Sequence, residues 1–285
     1  MPEGLESVSW TRLTTFTGCS EKFRLAYVEK LRDRRAAKGW FIIGTAVHET
    51  AEYAEREGLQ YDLEAATTDD GELRLAFVAS LKEQVRAAGG PENVQWGGRS
   101  SEQWPDGENL DWAMAFGPAM VENYVHLRRQ DAERGRIAVA VESALHPPIA
   151  SGRRVDAYPD VVLTEPDGTI VVRDYKTGSG TSSPGQLDLY GWSIRELGLF
   201  GAGDGVPIRG EMAYLRPTKK EPRGRVVAYD MARIDLIPGL IALFEAAVGT
   251  GAYLPNPGAW CGGCDVRQFC TWGSADTDES KEGAA

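Results

Sequence analysis

One short stretch, residues 158–178, limits more than any other what this chain can fold into. It holds two apolar runs, at 161–163 and 170–172, separated by Glu-Pro-Asp-Gly at 165–168. Proline presets φ for a turn, and Asp-Gly supplies residue types that close one. The stretch therefore predicts a β-hairpin centred on position 167.

Two aspartates lie at matched distances from that centre. Asp160 and Asp174 are each seven residues from position 167, so a regular antiparallel register places them opposite each other. Lys176 lies two residues beyond Asp174 and points to the same face. Opposed like charges destabilise a hairpin unless a cation lies between them, and Mg²⁺ and Mn²⁺ prefer carboxylate oxygens. The pattern predicts a divalent-metal site, although hairpin geometry alone leaves open an exposed hairpin with solvated charges.

Two other aspartates compete for the same role. Asp156 registers opposite position 178, and Asp167 lies within the turn itself. Neither faces a second carboxylate in this register, so both are weaker candidates.

The rest of the chain predicts an α/β or α+β architecture, a central mixed β-sheet flanked by helices. Helical patterns occupy 9–30 with an interruption at Gly18-Cys19, 44–57, 71–88, 108–130, 185–197 and 235–247. Strand patterns occupy 137–144, 209–216 and 224–230. We expect Ser9 to cap the first helix, and we expect breaks at Gly117 and near Pro238. A single domain is predicted over residues 1–272, with a helical insertion at about 58–132 and a disordered acidic tail at 273–285.

The composition excludes few function classes. The net charge of −11 does not by itself suggest nucleic acid, and basic groups near 30–38, 153–154 and 216–225 are as compatible with solvated loops as with a binding surface. The chain has no apolar run of membrane-spanning length, and its first residues lack the regions of a signal peptide. We therefore expect a cytoplasmic protein.

Four cysteines form a second constellation. Cys19 lies near the start of the chain, and Cys261, Cys264 and Cys270 lie near its end. In an intracellular protein such residues are more often metal ligands or buried thiols than disulfides. Four thiolates suit either structural zinc or an iron–sulfur cluster, and their spacing alone does not separate the two.

The hairpin also carries a family resemblance. Asp160, followed after thirteen residues by Asp-Tyr-Lys-Thr-Gly at 174–178, resembles the PD-(D/E)XK nuclease superfamily and, within it, the RecB-like exonuclease domains. Three further segments resemble that family in the expected order: Gly-Thr-Ala-Val-His at 44–48, Gln-Leu-Asp-Leu-Tyr at 186–190, and the opening segment from Ser9 to Cys19. The resemblance implies a restriction-endonuclease-like core and a metal-dependent DNA exonuclease.

Roles for individual residues follow from the resemblance. It implies that His48 and the carbonyl of Tyr175 join the two carboxylates around Mg²⁺ or Mn²⁺, whereas a lone helical histidine is otherwise more often structural or exposed. The implied catalytic residues are Asp160, Asp174, Lys176, Gln186 and Tyr190.

The split arrangement of the cysteines is similar to that of 4Fe–4S-bearing RecB-like nucleases, including AddB-type domains and CRISPR-adaptation nucleases. The resemblance thus implies a structural 4Fe–4S cluster that joins Cys19 to 261–270, with zinc as the alternative. The expected substrate is DNA with free ends, in recombination, repair or phage DNA metabolism. Two alternatives remain open: a CRISPR-adaptation nuclease that processes DNA ends for a partner protein, and a non-catalytic nucleic-acid-binding subunit.

Overall fold

The computed structural model describes residues 5–32, 37–98, 105, 107–178, 183–203 and 205–273. These residues form two compact units, each built from separate stretches of chain. The expected disordered tail at 273–285 lies, except for Gly273, outside the described residues, and the predicted domain bounds stay a prediction. None of the helices in the described ranges is both long and apolar enough to cross a membrane.

Helices and strands are numbered in chain order. The helices are α1 (Trp10–Gly18), α2 (Ser20–Phe23), α3 (Gly39–Glu57), α4 (Leu63–Thr67), α5 (Glu72–Ala87), α6 (Leu110–Phe116), α7 (Pro118–Glu133), α8 (Gly185–Glu196) and α9 (Ile237–Thr250). The strands are β1 (Ser7–Val8), β2 (Ala37–Lys38), β3 (Val94–Gln95), β4 (Ile137–Val141), β5 (Arg154–Val155), β6 (Val161–Thr164), β7 (Ile170–Lys176), β8 (Ile208–Tyr214) and β9 (Arg225–Asp230).

A five-stranded mixed sheet organises the larger unit, which comprises the described residues of Ala36–Ala144 and Tyr158–Ala232. Its strand order is β4-β6-β7-β8-β9, and every neighbouring pair is antiparallel except β7 and β8. A parallel pair needs a crossover connection, and α8 supplies it between β7 and β8. The mixed sheet with flanking helices confirms the predicted α/β class.

The side chains of β7 alternate between two environments. Val171 and Tyr175 belong to a core cluster formed with α3, α5 and α7, whose members include Ala46, Phe77 and Tyr124. Burying each large apolar side chain of this kind contributes roughly 1.5–3 kcal/mol. Because side chains alternate along a strand, Arg173 shares this face, whereas Val172 and Asp174 point to the other face of the sheet.

Prolines and a glycine set two helix boundaries. Gly117 separates α6 from α7, as predicted, and a Cβ there would lie 2.1 Å from Cζ of Phe77. The prediction that Pro238 interrupts a helix is wrong. Pro238 lies in the first turn of α9, where its missing N–H has no intrahelical partner to lose.

The second unit comprises the described residues of Met1–Arg35, Leu145–Ala157 and Arg233–Ala285. Its α1 is capped as predicted, since Ser9 Oγ accepts a hydrogen bond from Arg12 N at 3.4 Å. Phe16 packs edge-on against Phe244 of α9, with ring centroids 5.3 Å apart. Residues from both ends of the chain therefore share one small core.

Candidate active site

The hairpin has the register that the sequence predicts. Val161 pairs with Arg173, Val162 with Val172, and Thr164 with Ile170, so every pair is centred on position 167. Gly168 closes the turn at φ +86°, a conformation that a residue with a Cβ rarely adopts. The same register brings Asp160 and Asp174 to one end of the hairpin.

Asp160 contacts both the hairpin and α3 at this end of the hairpin. It is buried, and its Oδ2 accepts a hydrogen bond from the backbone N–H of Tyr175. Its Oδ1 lies 3.1 Å from Nδ1 of His48, in α3. One carboxylate thus joins the hairpin to the helix that carries the histidine.

The approach of α3 depends on Gly44, one turn before His48. A Cβ at position 44 would lie 3.0 Å from Oγ1 of Thr177, which is closer than nearly all real Cβ contacts. The glycine therefore lets the helix lie against the chain just after Lys176.

Glu142 is a site residue that the sequence did not single out. Its backbone N–H donates to the carbonyl of Asp160 at 3.0 Å, and its Oε1 lies 3.7 Å from Nδ1 of His48. Its φ of +43° is uncommon for a residue with a Cβ and directs the chain out of β4 beside the site. The sequence signal was a glutamate at the end of a predicted strand. Glu142 reaches the site because β4 pairs with β6, which places it beside Asp160.

Among the described residues, one group of possible metal ligands has all its ligand atoms within 4.8 Å of one another: His48, Glu142 and Asp160. Asp174 is not in this group, and its Oδ2 forms an ion pair with Nζ of Lys176. That oxygen is buried and accepts no hydrogen bond with good geometry from any described residue. An under-satisfied carboxylate beside two others and an imidazole is a donor set that fits Mg²⁺ or Mn²⁺.

Lys176 begins a chain of polar contacts into α8. Its Nζ donates to Oε1 of Gln186 at 3.4 Å, and Nε2 of Gln186 donates to the hydroxyl of Tyr190. Gln186 and Tyr190 are one helical turn apart and lie on the same face of α8. The structure thus brings these three predicted residues into one row.

The electrostatics show an excess of negative charge. Burial, and then the charge of Asp160, raise the pKa of Asp174 to about 6, although Lys176 opposes the shift. Burial likewise raises the pKa of Glu142. Burial alone would lower the pKa of His48, but Asp160 and Glu142 outweigh it and hold that pKa well above its usual value. A bound cation would relieve this repulsion.

All these residues line one cleft of about 670 Å³. Tyr175 also lines it, with its ring packed edge-on against Tyr124 at 5.5 Å, whereas the metal-ligand role of its carbonyl stays a prediction. The rival aspartates lie elsewhere. Asp156 belongs to the second unit and pairs with His146 and Arg154, and Asp167 accepts a hydrogen bond from Thr169 N in the turn.

The second unit contains the four cysteines as half-buried free thiols lining one small cavity. Cys19 Sγ accepts a hydrogen bond from Asn256 N, and Cys261 Sγ accepts one from Gly258 N, each at 3.4 Å. Cys264 and Cys270 pack against Leu25, Ala26 and Val266. The fold therefore brings the early cysteine to the three late ones, and the metal cluster that the resemblance implies stays a prediction.

Comparison with known proteins finds matches over most of the chain. The sequence pattern of the PD-(D/E)XK nuclease superfamily matches residues 7–271. The Gene 69 protein of Mycobacterium phage L5 is 27% identical over 296 aligned positions, which cover 93% of this chain and 96% of that protein. A solved structure titled "Crystal structure of SSO0001" aligns over 92% of this chain and 94% of its own, with 14% identity and a TM-score of 0.30.

Proposed function

This chain belongs to the PD-(D/E)XK nuclease superfamily, and within the nuclease activity that membership indicates we propose a Mg²⁺- or Mn²⁺-dependent DNA exonuclease of the RecB-like kind. One observation carries the proposal. Ligand atoms of Asp160, Glu142 and His48 lie within 4.8 Å of one another, beside the Asp174–Lys176 ion pair. These five residues come from α3, from β7 and from the ends of β4 and β6.

In this proposal Asp160 and Asp174 hold the metal ion, with His48, Glu142 and the carbonyl of Tyr175 as further ligands. The metal, when bound, lowers the pKa of a coordinated water and neutralises charge on the scissile phosphate. The backbone N–H of Tyr175 fixes one oxygen of Asp160, so the carboxylate keeps its orientation without an ion present.

Lys176 is the candidate for orienting the attacking water or stabilising the phosphate. Its ammonium group lies between the carboxylate of Asp174 and the amide oxygen of Gln186. Tyr190 accepts from the other end of that amide, so it fixes which way Gln186 presents its oxygen. We propose that Gln186 and Tyr190 act by positioning the lysine, and that Tyr190, which lines the cleft, also contacts the substrate strand.

The four cysteines are proposed to hold a structural 4Fe–4S cluster. The convergence of one early and three late cysteines on a single cavity supports a metal centre there, and zinc is the alternative to the cluster.

The biological setting is part of the same proposal. The phage-encoded relative supports a role in phage DNA metabolism in a bacterial cytoplasm. Recombination or repair of host DNA is the other setting of this proposal. A CRISPR-adaptation nuclease would use the same site together with a partner protein. A non-catalytic subunit is disfavoured because the acidic residues, lysine and glutamine all converge.

Digestion of end-labelled DNA tests the function. Single- and double-stranded DNA labelled at the 5′ or the 3′ end is incubated with Mg²⁺ or Mn²⁺, alongside Lys176→Ala. We expect stepwise shortening from one end by the wild type and at least a hundredfold slower loss with the variant, on the order of the effect of removing one charge-stabilising group. Degradation that Lys176→Ala leaves intact would show that the site is wrongly assigned.

Anaerobic purification tests the cluster. We expect brown protein with a visible absorption band and about four iron atoms per chain, lost on replacing Cys264 by serine. Colourless protein carrying zinc would contradict the cluster while leaving the nuclease proposal intact.

A further inference from the structure

We propose that Trp40 and Phe41 stack on unpaired bases of the DNA, so that a single-stranded end is the preferred substrate of the cleft. The inference rests on the proposed nuclease function and adds to it the form of the substrate. It starts from two large aromatic side chains that the fold leaves in water at the mouth of the candidate active site.

Both side chains are exposed to a degree that core packing does not explain. Trp40 is 60% exposed and Phe41 is 64% exposed, and their rings contact each other edge-on with centroids 6.0 Å apart. Both line the cleft that holds Asp160 and Lys176. Tyr158, 46% exposed, lines the same cleft, so three exposed aromatic side chains border it.

Helix α3 places Phe41 on the same face as His48. Phe41 and His48 are seven positions apart in α3, which is two turns, so they lie on one face. At 1.5 Å per residue their separation along the axis is about 10 Å. That distance corresponds to about three stacked nucleotides at 3.4 Å each. A strand whose terminal phosphodiester lies at the metal would therefore present its next bases to the two rings.

The charge of the cleft favours stacking over phosphate contacts. Besides Asp160 and Asp174, its lining includes Glu49, Glu52 and Glu142. Among the described residues that line the cleft, Lys176 is the one lysine or arginine, and it is paired with Asp174. This lining offers phosphates little positive charge, so we expect affinity to come from the metal and from uncharged contacts.

Stacking also selects the form of the DNA. The faces of bases in a duplex are covered by neighbouring base pairs, whereas an unpaired base offers its face to an aromatic ring. Each such stack is worth about 1–3 kcal/mol, or a fivefold to 150-fold change in Kd. The two rings therefore distinguish a single strand or a frayed end from a closed duplex.

Equilibrium binding tests the proposal apart from catalysis. Lys176→Ala protein with Mg²⁺ is titrated against a fluorescent single-stranded oligonucleotide and a blunt duplex of equal length. Trp40→Ala/Phe41→Ala is added to this background, together with Trp40→Phe/Phe41→Trp, which keeps both aromatic faces, and Tyr61→Ala, which removes an exposed aromatic outside the cleft lining.

We expect the double alanine variant to bind the single strand at least fivefold more weakly and the duplex within twofold of the parent. The exchanged aromatic pair and Tyr61→Ala should bind like the parent. The salt dependence of single-strand binding should not change, because no phosphate contact is removed.

Oligonucleotides with about three abasic positions at either end give a second, independent readout. They should bind the parent more weakly, and the double alanine variant should lose no further affinity from the abasic positions. Equal losses on single strand and duplex, or additive losses with abasic DNA, would overturn the stacking proposal. A wild type that cleaves DNA but shows no effect of the aromatic variants removes this inference alone, whereas a wild type that cleaves no DNA removes the proposed function.

Discussion

Two adjacent residues of β7, Arg173 and Asp174, belong to two clusters of charged side chains that differ in how their charge is balanced. Arg173 is fully buried and points into a network of guanidinium and carboxylate groups, whereas Asp174 points into the cleft. Both residues are buried and belong to the same strand. The difference lies in whether the protein itself neutralises the charge that it buries.

The Arg173 network is neutralised from within. Its guanidinium makes two hydrogen bonds to the carboxylate of Asp131, at 2.5 and 2.9 Å, and two more to Oε2 of Glu211. Arg128 and Arg136 bind the same Asp131, at 2.9 and 3.3 Å. Charge-assisted hydrogen bonds of this kind, one pair of them bidentate, fix the geometry and leave little residual charge.

The cleft keeps its charge unbalanced. Asp160, Asp174 and Glu142 share one lysine and one histidine, and the pKa of Asp174 is raised to about 6 as a result of burial and of the neighbouring Asp160. A bound cation or a proton would relieve this repulsion. We therefore expect the paired charges around Arg173 to support the fold, and the incompletely balanced charges around Asp174 to serve the proposed function.

The largest expected effect on stability comes from disrupting the Arg173 network. Arg173→Met leaves Asp131 and Glu211 buried without their main partner, so we expect a loss of about 3–5 kcal/mol in the free energy of unfolding. Urea denaturation without metal measures it. Arg56→Ala, at an exposed ion pair on α3, is the control and should change stability by less than about 0.5 kcal/mol. Similar stabilities for the two variants would contradict the structural role of the network.

A substitution in the cleft should instead reduce activity and leave stability nearly unchanged. We expect Asp174→Asn to lower Mg²⁺-dependent DNA cleavage by about a hundredfold to a thousandfold, because an amide is a poorer ligand and carries no charge. In the absence of metal the same change should leave stability equal or raise it by about 0.2–1 kcal/mol, since it removes an opposed like charge. The two values come from an end-label assay and urea denaturation of one preparation. A large loss of stability would show that Asp174 is structural, like Arg173.

The smallest expected effect is a pH dependence that sharpens the contrast. Burial alone would raise the pKa of Asp131, but hydrogen bonds and charge from Arg173 and Arg128 outweigh it and hold the pKa below the ordinary value of 3.8. A depressed pKa in the folded state contributes stability above the unfolded pKa and loses it as pH falls through the folded one. The difference in unfolding free energy between wild type and Asp131→Asn should therefore narrow from pH 5 downwards. A constant difference across that range would contradict the ion pairing.

Local signals in the sequence were sufficient for the hairpin. Alternation of apolar residues and the Pro-Asp-Gly turn fixed the register, and both act over a few neighbouring positions, so the pairing centred on position 167 could be predicted. The contact of Lys176 with Gln186 agrees with the order of motifs that the resemblance supplied.

What could not be predicted depends on distant pairing. Glu142 enters the site only because β4 pairs with β6, and Asp131 meets Arg173 only because α7 packs over β7 and β8. Nothing near Arg173 in the sequence distinguishes it from a solvated strand residue. The prediction for Pro238 differs from the structure for another reason. Proline is compatible both with the first turn of a helix and with a break inside one, and the sequence alone does not locate the helix boundary.

The alternation along β7 also sets how this gene can tolerate changes in length. Inserting or deleting one codon between positions 170 and 174 would turn Asp174 towards the guanidinium groups and Arg173 towards the cleft, since a shift of one residue reverses the faces of a strand. The turn at 165–168 can absorb such a change by looping out, because only its ends are paired. Length variation among relatives should therefore be confined to the turn, and a single-codon deletion in the strand should cost both folding and activity at once.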